Sequence, residues 1–101
     1  MKIRTHTCGE LKSKDCKKSV TLNGWVNTVR LHGQVVFIDL RDRYGKTQIV
    51  FNSENYVGDF DEVKKLSMED VLSVSGNVHK RENRSINSDM PTGEIEVYAS
   101  T

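Results

Sequence analysis

The sequence is poor in the residues that would mark a secreted, membrane-bound or multidomain protein. Its single proline, Pro91, lies in a polar stretch, and Cys8 and Cys16 are its only cysteines, too few for a disulfide framework. No apolar run approaches the length that spans a bilayer, and residues 1–6 lack the apolar stretch of a signal peptide. A chain of 101 residues suffices for one compact domain. We therefore expect one cytosolic domain over residues 1–101.

A recognisable catalytic constellation is also missing. No nucleophile is paired with a base, no glycine-rich loop precedes a helix, and no carboxylate pair marks a cleft. Cys8, Cys16 and His6 could supply three metal ligands, but a closed zinc site takes four at tighter spacings. We predict neither catalytic residues nor a metal site in this chain.

The formal net charge of +1 conceals an uneven distribution. Basic residues predominate over residues 1–30, whereas acidic residues predominate over residues 54–70. Such a separation can give one face that attracts phosphate and another that repels it. The alternative is that both runs are ordinary solvated surface.

Alternation of apolar and polar residues predicts five strands, and helical spacing predicts one short helix. The strands are expected over residues 20–30, 35–42, 47–51, 71–79 and 94–99, and the helix over residues 61–68. Gly24 and Gly76 interrupt two strands, as glycine does where a strand bulges or bends. Three strands, a helix and two strands is the order of the OB-fold, an all-β Greek-key barrel of five strands. A helix-on-sheet sandwich or an SH3-like barrel explains the position of the helix less well, and residues 8–18 could add a short strand or turn.

The second predicted strand assigns its residues to two faces. Val36, Ile38 and Leu40 share one face, which we expect to be buried, and this leaves Phe37 outside beside charged residues. In the third strand the same reasoning leaves Gln48 facing outward.

OB-folds bind oligonucleotides or oligosaccharides across strands two and three, between the loops after strands one and four. In that region an aromatic ring can stack on a base, a glutamine can hydrogen-bond a base edge, and arginines can meet phosphate, so the pattern indicates single-stranded RNA. Plainer explanations are that Phe37 packs under a loop or another domain, that Gln48 is solvated, and that residues 41–43 form an ion-pair cluster at the barrel rim. The region contains Arg30, His32, Phe37, Asp39, Arg41, Gln48, His79, Lys80, Arg81, Asn83, Arg84 and Asn87.

Taken together, several short motifs resemble the N-terminal anticodon-binding domain of bacterial-type aspartyl-tRNA synthetases. The resemblance covers most of the chain in order, and its opening and late stretches are specific to the bacterial type, whereas Gly-Trp-Val is shared with lysyl and asparaginyl relatives. The matching stretches are RTHTCGEL at 4–11, GWV at 24–26, FIDLRD at 37–42, TQIVF at 47–51, IN at 86–87, DM at 89–90 and TGEIEV at 92–97.

The resemblance implies that the domain reads the GUC anticodon of aspartate tRNA. Phe37 would stack on the central uracil, Gln48 would read the edge of that base, and Arg30 would reach the third base. Arg81 and Asn87 would lie near the first base. These five residues are the predicted nucleic-acid-binding site.

The resemblance also implies a longer parent protein. That parent would be a class II aspartate–tRNA ligase, a homodimer that uses ATP and magnesium, with its catalytic domain after Thr101. The present domain would be a monomeric binding module without a cofactor of its own. Two other interpretations stay open: a free-standing single-strand nucleic-acid-binding module, and the anticodon domain of an asparaginyl or lysyl relative.

Overall fold

The structure is a computed structural model, and it describes residues 3–54, 56–57, 60–81, 93 and 95–100. Within these residues five strands close into one barrel in the order β1-β2-β3-β5-β4, which confirms the predicted OB-fold. None of the helices in the described residues is long and apolar enough to cross a membrane. The elements are β1 Ser19–His32, β2 Val35–Asp42, β3 Gly45–Asn52, α1 Phe60–Lys64, β4 Val71–Lys80 and β5 Ile95–Ala99, with a 3₁₀ turn at Ser13–Asp15.

The helix is confirmed between β3 and β4 but is shorter than the predicted residues 61–68. After Lys64 the backbone changes to i→i−3 hydrogen bonds, such as Leu66 N–H to the Val63 carbonyl at 3.2 Å. The Asp70 carboxylate then accepts a hydrogen bond from the Ser67 backbone N–H at 2.8 Å. This local side-chain bond competes with the helix and begins the turn into β4.

The core follows the predicted alternation. Val36, Ile38 and Leu40 of β2 are at most 1% exposed, whereas Phe37 between them is partly exposed. Ile95 and Val97 of β5 are fully buried, also as predicted. The barrel interior is therefore apolar, and the side chains relevant to binding lie on its outer surface.

Residues 8–18 join the core through Cys8 and Leu11 and form turns, not a strand. Cys8 and Leu11 are fully buried, and the Cys8 backbone N–H donates to the Asp42 carboxylate at 2.8 Å. The Thr47 hydroxyl donates to the Cys8 carbonyl at 2.6 Å. Burial, followed by the charge of Asp42, raises the pKa of the Cys8 thiol well above its ordinary value. Cys8 is thus a protonated core residue.

A bulge bends β1 between its two neighbouring strands. The first part of β1 pairs with β4, the last part pairs with β2, and the register with β2 shifts between Val26 and Thr28. The prediction placed the irregularity at Gly24-Trp25-Val26, directly before Asn27, the extra residue. Gly24 instead allows a close approach of two backbones, because a Cβ there would lie 2.4 Å from the Arg41 carbonyl oxygen. After the bulge, Arg30 lies opposite Phe37.

Candidate nucleic-acid interface

Two rows of side chains cross the outer surface of the barrel in cross-strand register. We call the first the aromatic row; Arg30 pairs with Phe37, Phe37 with Val50, and Val50 with Tyr98. We call the second the polar row; it contains Thr28, Asp39, Gln48 and Glu96. Since neighbouring strands lie about 4.8 Å apart, residues adjacent in a row are within side-chain contact distance.

Phe37 contacts two neighbouring side chains, His32 and Arg30. Its ring meets the His32 ring edge to face at 5.7 Å between centroids. The Arg30 guanidinium carbon lies 5.9 Å from the ring centroid, close enough for a cation–π contact. The ring is partly exposed, as the alternation predicted, so it offers an aromatic surface for stacking.

Gln48 lies on the outer surface of the barrel, as the alternation predicted, but it is not the solvated side chain of the plainer explanation. It points to the outside of the barrel but is only 7% exposed, because Arg30 and Glu96 engage the two ends of its amide. Arg30 Nη2 donates to Gln48 Oε1 at 2.8 Å, and Gln48 Nε2 donates to Glu96 Oε2 at 2.7 Å. Arginine can only donate and an ionised carboxylate can only accept, so these partners determine which end of the amide is oxygen.

The amide of Gln48 keeps some free hydrogen-bonding capacity. A glutamine amide has two N–H donors and an oxygen with two lone pairs, and the contacts to Arg30 and Glu96 use one of each. Within the described residues, these contacts leave one N–H and one oxygen lone pair of the amide without a protein partner. A base edge that presents one acceptor and one donor could pair with both.

Asp39 and Thr28 extend the network on the β1–β2 side. The Thr28 hydroxyl donates to Asp39 Oδ2 at 2.8 Å, and Arg30 Nη2 lies 3.9 Å from Asp39 Oδ1. Arg30 is thus placed between a carboxylate and the Gln48 amide. Sequence reasoning included Asp39 among the candidates but missed Thr28 and Glu96. The alternation in β5 puts Glu96 on the outside, but only the parallel pairing of β3 with β5 brings it to Gln48.

Arg81 is more deeply placed than a flexible phosphate-binding arginine. It is 7% exposed, and its Nε donates to the Ile95 carbonyl at 3.0 Å. Burial lowers the pKa of its guanidinium, whereas Glu96 and Asp39 raise that pKa. Arg81 therefore has a structural task at the start of β5 in addition to any contact with a ligand.

Four of the five predicted site residues come together in one open pocket. The volume of this pocket is about 250 Å³, and we call it the Phe37 pocket. Asn87, the fifth predicted residue, and Asn83 and Arg84 lie outside the described residues. In the described residues no group of three His, Cys, Asp or Glu side chains is placed to hold a metal ion. The pocket is lined by Arg30, His32, Phe37, Gln48 and Arg81.

Comparison with known proteins relates this geometry to a family. The model of the family described as an OB-fold nucleic acid binding domain, of the tRNA anticodon type, matches residues 20–101. The chain is 50% identical over 96 residues to an aspartate–tRNA(Asp/Asn) ligase of Salinibacter ruber, covering 95% of the chain and 15% of that protein. It is 48% identical over 98 residues to an aspartate–tRNA ligase of Bacteroides thetaiotaomicron, covering 97% of the chain and 16% of that protein.

A solved structure of an aminoacyl-tRNA synthetase has a domain with the same fold as this chain. The asparaginyl-tRNA synthetase of Pyrococcus horikoshii, complexed with asparaginyl-adenylate, superposes with a TM-score of 0.81 and 30% identity, over 100% of this chain and 22% of that one. The chain spans about a sixth of the length of the two curated relatives named above.

Proposed function

The chain belongs to the tRNA anticodon family of OB-fold nucleic-acid-binding domains, and from that membership we propose that it binds the anticodon loop of aspartate tRNA as part of an aspartate–tRNA ligase. The observation that carries the proposal is the Phe37 pocket, where a partly exposed aromatic ring adjoins an amide of fixed orientation. Stacking surfaces beside hydrogen-bonding groups are how proteins read unpaired bases.

Phe37 and Gln48 would together select the middle base of the anticodon. A uracil stacked on Phe37 presents a carbonyl acceptor and an N–H donor on its pairing edge, which complement the free N–H and lone pair of Gln48. Cytosine presents an amino donor where uracil has a carbonyl. If the Gln48 amide rotated to suit cytosine, it would turn its N–H groups towards Arg30 and its oxygen towards Glu96. The charges of Arg30 and Glu96 therefore make the amide orientation that pairs with cytosine unfavourable.

The other anticodon bases would lie to either side of this pocket. Arg30 would reach the third base or its phosphate from the β1 side, and Arg81 with Asn87 would lie near the first base. Because Arg81 also bonds the Ile95 carbonyl, its replacement would affect stability as well as binding. For this reason Arg30 is the better residue for testing electrostatic contacts.

The remainder of the ligase would carry the chemistry. Such a protein forms an ester between aspartate and tRNA with ATP and magnesium, and we place both in its catalytic part. This chain, as the single domain over residues 1–101, would recognise the tRNA. The full ligase would act as a homodimer in the cytoplasm.

Binding to RNA hairpins with a seven-base loop tests the proposal, and Gln48→Ala tests its specificity. The native protein should prefer the GUC loop to loops altered at one of the three bases. Gln48→Ala should weaken binding and reduce the preference for uracil over cytosine even more, since the amide that distinguishes them is gone. Fluorescence anisotropy with the GUC and GCC hairpins measures both effects.

Gln34→Ala provides the matched control, because it makes the same chemical change at an exposed turn between β1 and β2. This variant should retain the native preference at the middle base. Unfolding midpoints should accompany both measurements, since Gln48 is buried. Equal uracil preference in native and Gln48→Ala protein would show that another group reads this base. If the native protein prefers a hairpin with a base other than cytosine at the third position, the asparaginyl or lysyl interpretation is favoured. If it shows no preference among the hairpins, a general single-strand-binding module is favoured.

A second prediction concerns Arg30→Gln, which removes the charge but keeps a polar side chain. If Arg30 contacts phosphate, binding should weaken alike for all loops, and the slope of log K against log salt should flatten by about 0.7, the single-strand value for one contact. Arg30→Lys should restore the slope. Arg43→Gln is the control, because Arg43 is exposed in the β2–β3 turn beside Tyr44. An unchanged slope in Arg30→Gln would assign Arg30 to a base or to positioning Gln48.

A further inference from the structure

The aromatic row continues past the Phe37 pocket to a second aromatic site. Tyr98 of β5 lies in register with Val50 on one side and with Asn77 of β4 on the other. Its ring meets the His79 ring at 4.3 Å between centroids, with an angle of 45° between the planes. Both side chains are at least partly exposed.

An open groove lies at this pair of rings. Its volume is about 390 Å³, larger than that of the Phe37 pocket. We call it the His79–Tyr98 groove; it is lined by Asn77, His79, Tyr98, Ala99 and Ser100. A groove of this size with an aromatic wall and polar ends suits a flat heteroaromatic ring.

The groove lies two strands away from Phe37 along the aromatic row. Val50 stands between Phe37 and Tyr98 and, although it points outward, is only 4% exposed, so its neighbours cover it. Phe37 and Tyr98 are two strand spacings apart, roughly 10 Å. A single OB-fold accommodates about 4 to 16 nucleotides, which is more than a triplet. An RNA strand bound at the Phe37 pocket is therefore long enough to reach the groove.

Two exposed lysines belong to β4 or contact its backbone. Lys80 is exposed at the end of β4, directly after His79. Lys17 is also exposed and lies beside β4, since its backbone N–H donates to the Val78 carbonyl at 2.7 Å. The nearby carboxylate of Glu96 already accepts a hydrogen bond from Gln48. The two lysines add positive charge to the strand that carries His79, which is compatible with an RNA phosphate backbone.

We propose that the His79–Tyr98 groove is a second base-binding subsite, which stacks a nucleotide of the same RNA loop outside the three anticodon bases. This inference rests on the proposed function, because the register of the aromatic row links the groove to the Phe37 pocket. Stacking tolerates any base, so the subsite adds affinity without reading sequence.

The test compares Tyr98→Leu with Tyr44→Leu, which makes the same change at an exposed tyrosine in the turn between β2 and β3. Tyr98→Leu should weaken binding of the GUC hairpin at least about five-fold, the lower end for one lost stacked base, while the uracil preference stays native. Tyr44→Leu should have no effect. His79→Ala, at an exposed position, should weaken binding in the same direction without lowering the unfolding midpoint.

A scan with abasic nucleotides locates the stacked base. In the native protein, an abasic site at one loop position outside GUC should cost the same factor, and in Tyr98→Leu that cost should disappear. If Tyr98→Leu binds every hairpin as the native protein does, the subsite is overturned while the anticodon proposal stands. If binding depends on Tyr98 but shows no preference for GUC, the subsite is supported and the anticodon proposal fails. If the native protein binds no hairpin, both are overturned.

Discussion

Replacing Ile38 by Asp is expected to unfold the domain. Ile38 is fully buried at the centre of β2, paired with Val29 on one side and Ile49 on the other. The substitution removes an apolar side chain, at a cost of about 2–5 kcal/mol, and introduces a carboxylate without a partner, at several kcal/mol more. Domains of this size are stable by only about 5–15 kcal/mol. Circular dichroism and a denaturant titration measure the result.

Two controls separate the loss of the core from the mere presence of a new charge. Leu31→Asp makes a comparable change where the side chain is 56% exposed, so this variant should stay folded. Ile38→Val keeps the site apolar and should cost about 0.5–1.5 kcal/mol. A folded Ile38→Asp protein with a native unfolding midpoint would contradict the inward assignment of β2, and with it the outward assignment of Phe37.

Local patterns in the sequence predicted most of the barrel because its strands are amphipathic. In β2 the alternation separated Ile38 from Phe37 correctly, since one face of the strand meets the core and the other meets solvent. The bounds of α1 were predicted too long, because the Ser67–Asp70 turn competes with the last helical turn. The bulge at Asn27 was predicted slightly too early, at Gly24-Trp25-Val26, because its position depends on where β1 changes partners, which is a property of the closed barrel.

The site was predicted less completely than the fold, for the same reason. The exposure of Phe37 follows from its own strand. The burial of Gln48 instead comes from Arg30 and Glu96, which are 18 and 48 residues away in the chain. Single-sequence alternation assigns a side chain to a face but does not show which neighbours cover it. Arg81 is a similar case, since its bond to the Ile95 carbonyl joins two strands across the loop after β4.

The burial of Gln48 changes how recognition would work. A solvated glutamine can rotate its amide to pair with either pyrimidine, so by itself it discriminates weakly. Between an obligatory donor and an obligatory acceptor, the rotation would cost two charge-assisted hydrogen bonds. Arg30 and Glu96 thus would contribute to specificity without touching the base. Phe37, by contrast, would supply affinity, because every base has a face that can stack.

Phe37→Ala is accordingly expected to weaken binding of the GUC hairpin by about 1–3 kcal/mol, the usual cost of removing one stacked base. Its thermal stability should stay close to native, because the ring is partly exposed and lies outside the core. The salt dependence of binding should not change, since no charge is removed. Anisotropy titrations at several salt concentrations, with an unfolding curve for each variant, measure these three quantities together.

Tyr44→Ala is the matched control, because Tyr44 is a 54% exposed aromatic in the turn between β2 and β3. It should bind the hairpin like the native protein, which would exclude a general effect of losing surface aromatics.

The combination of Phe37→Ala with Gln48→Ala then tests whether the two residues act on one base. If they do, the double variant should lose less than the sum of the single losses, since a base that is no longer stacked cannot be read. Native affinity in Phe37→Ala would instead mean that β2 is not the binding surface and that the ring only packs against Arg30 and His32.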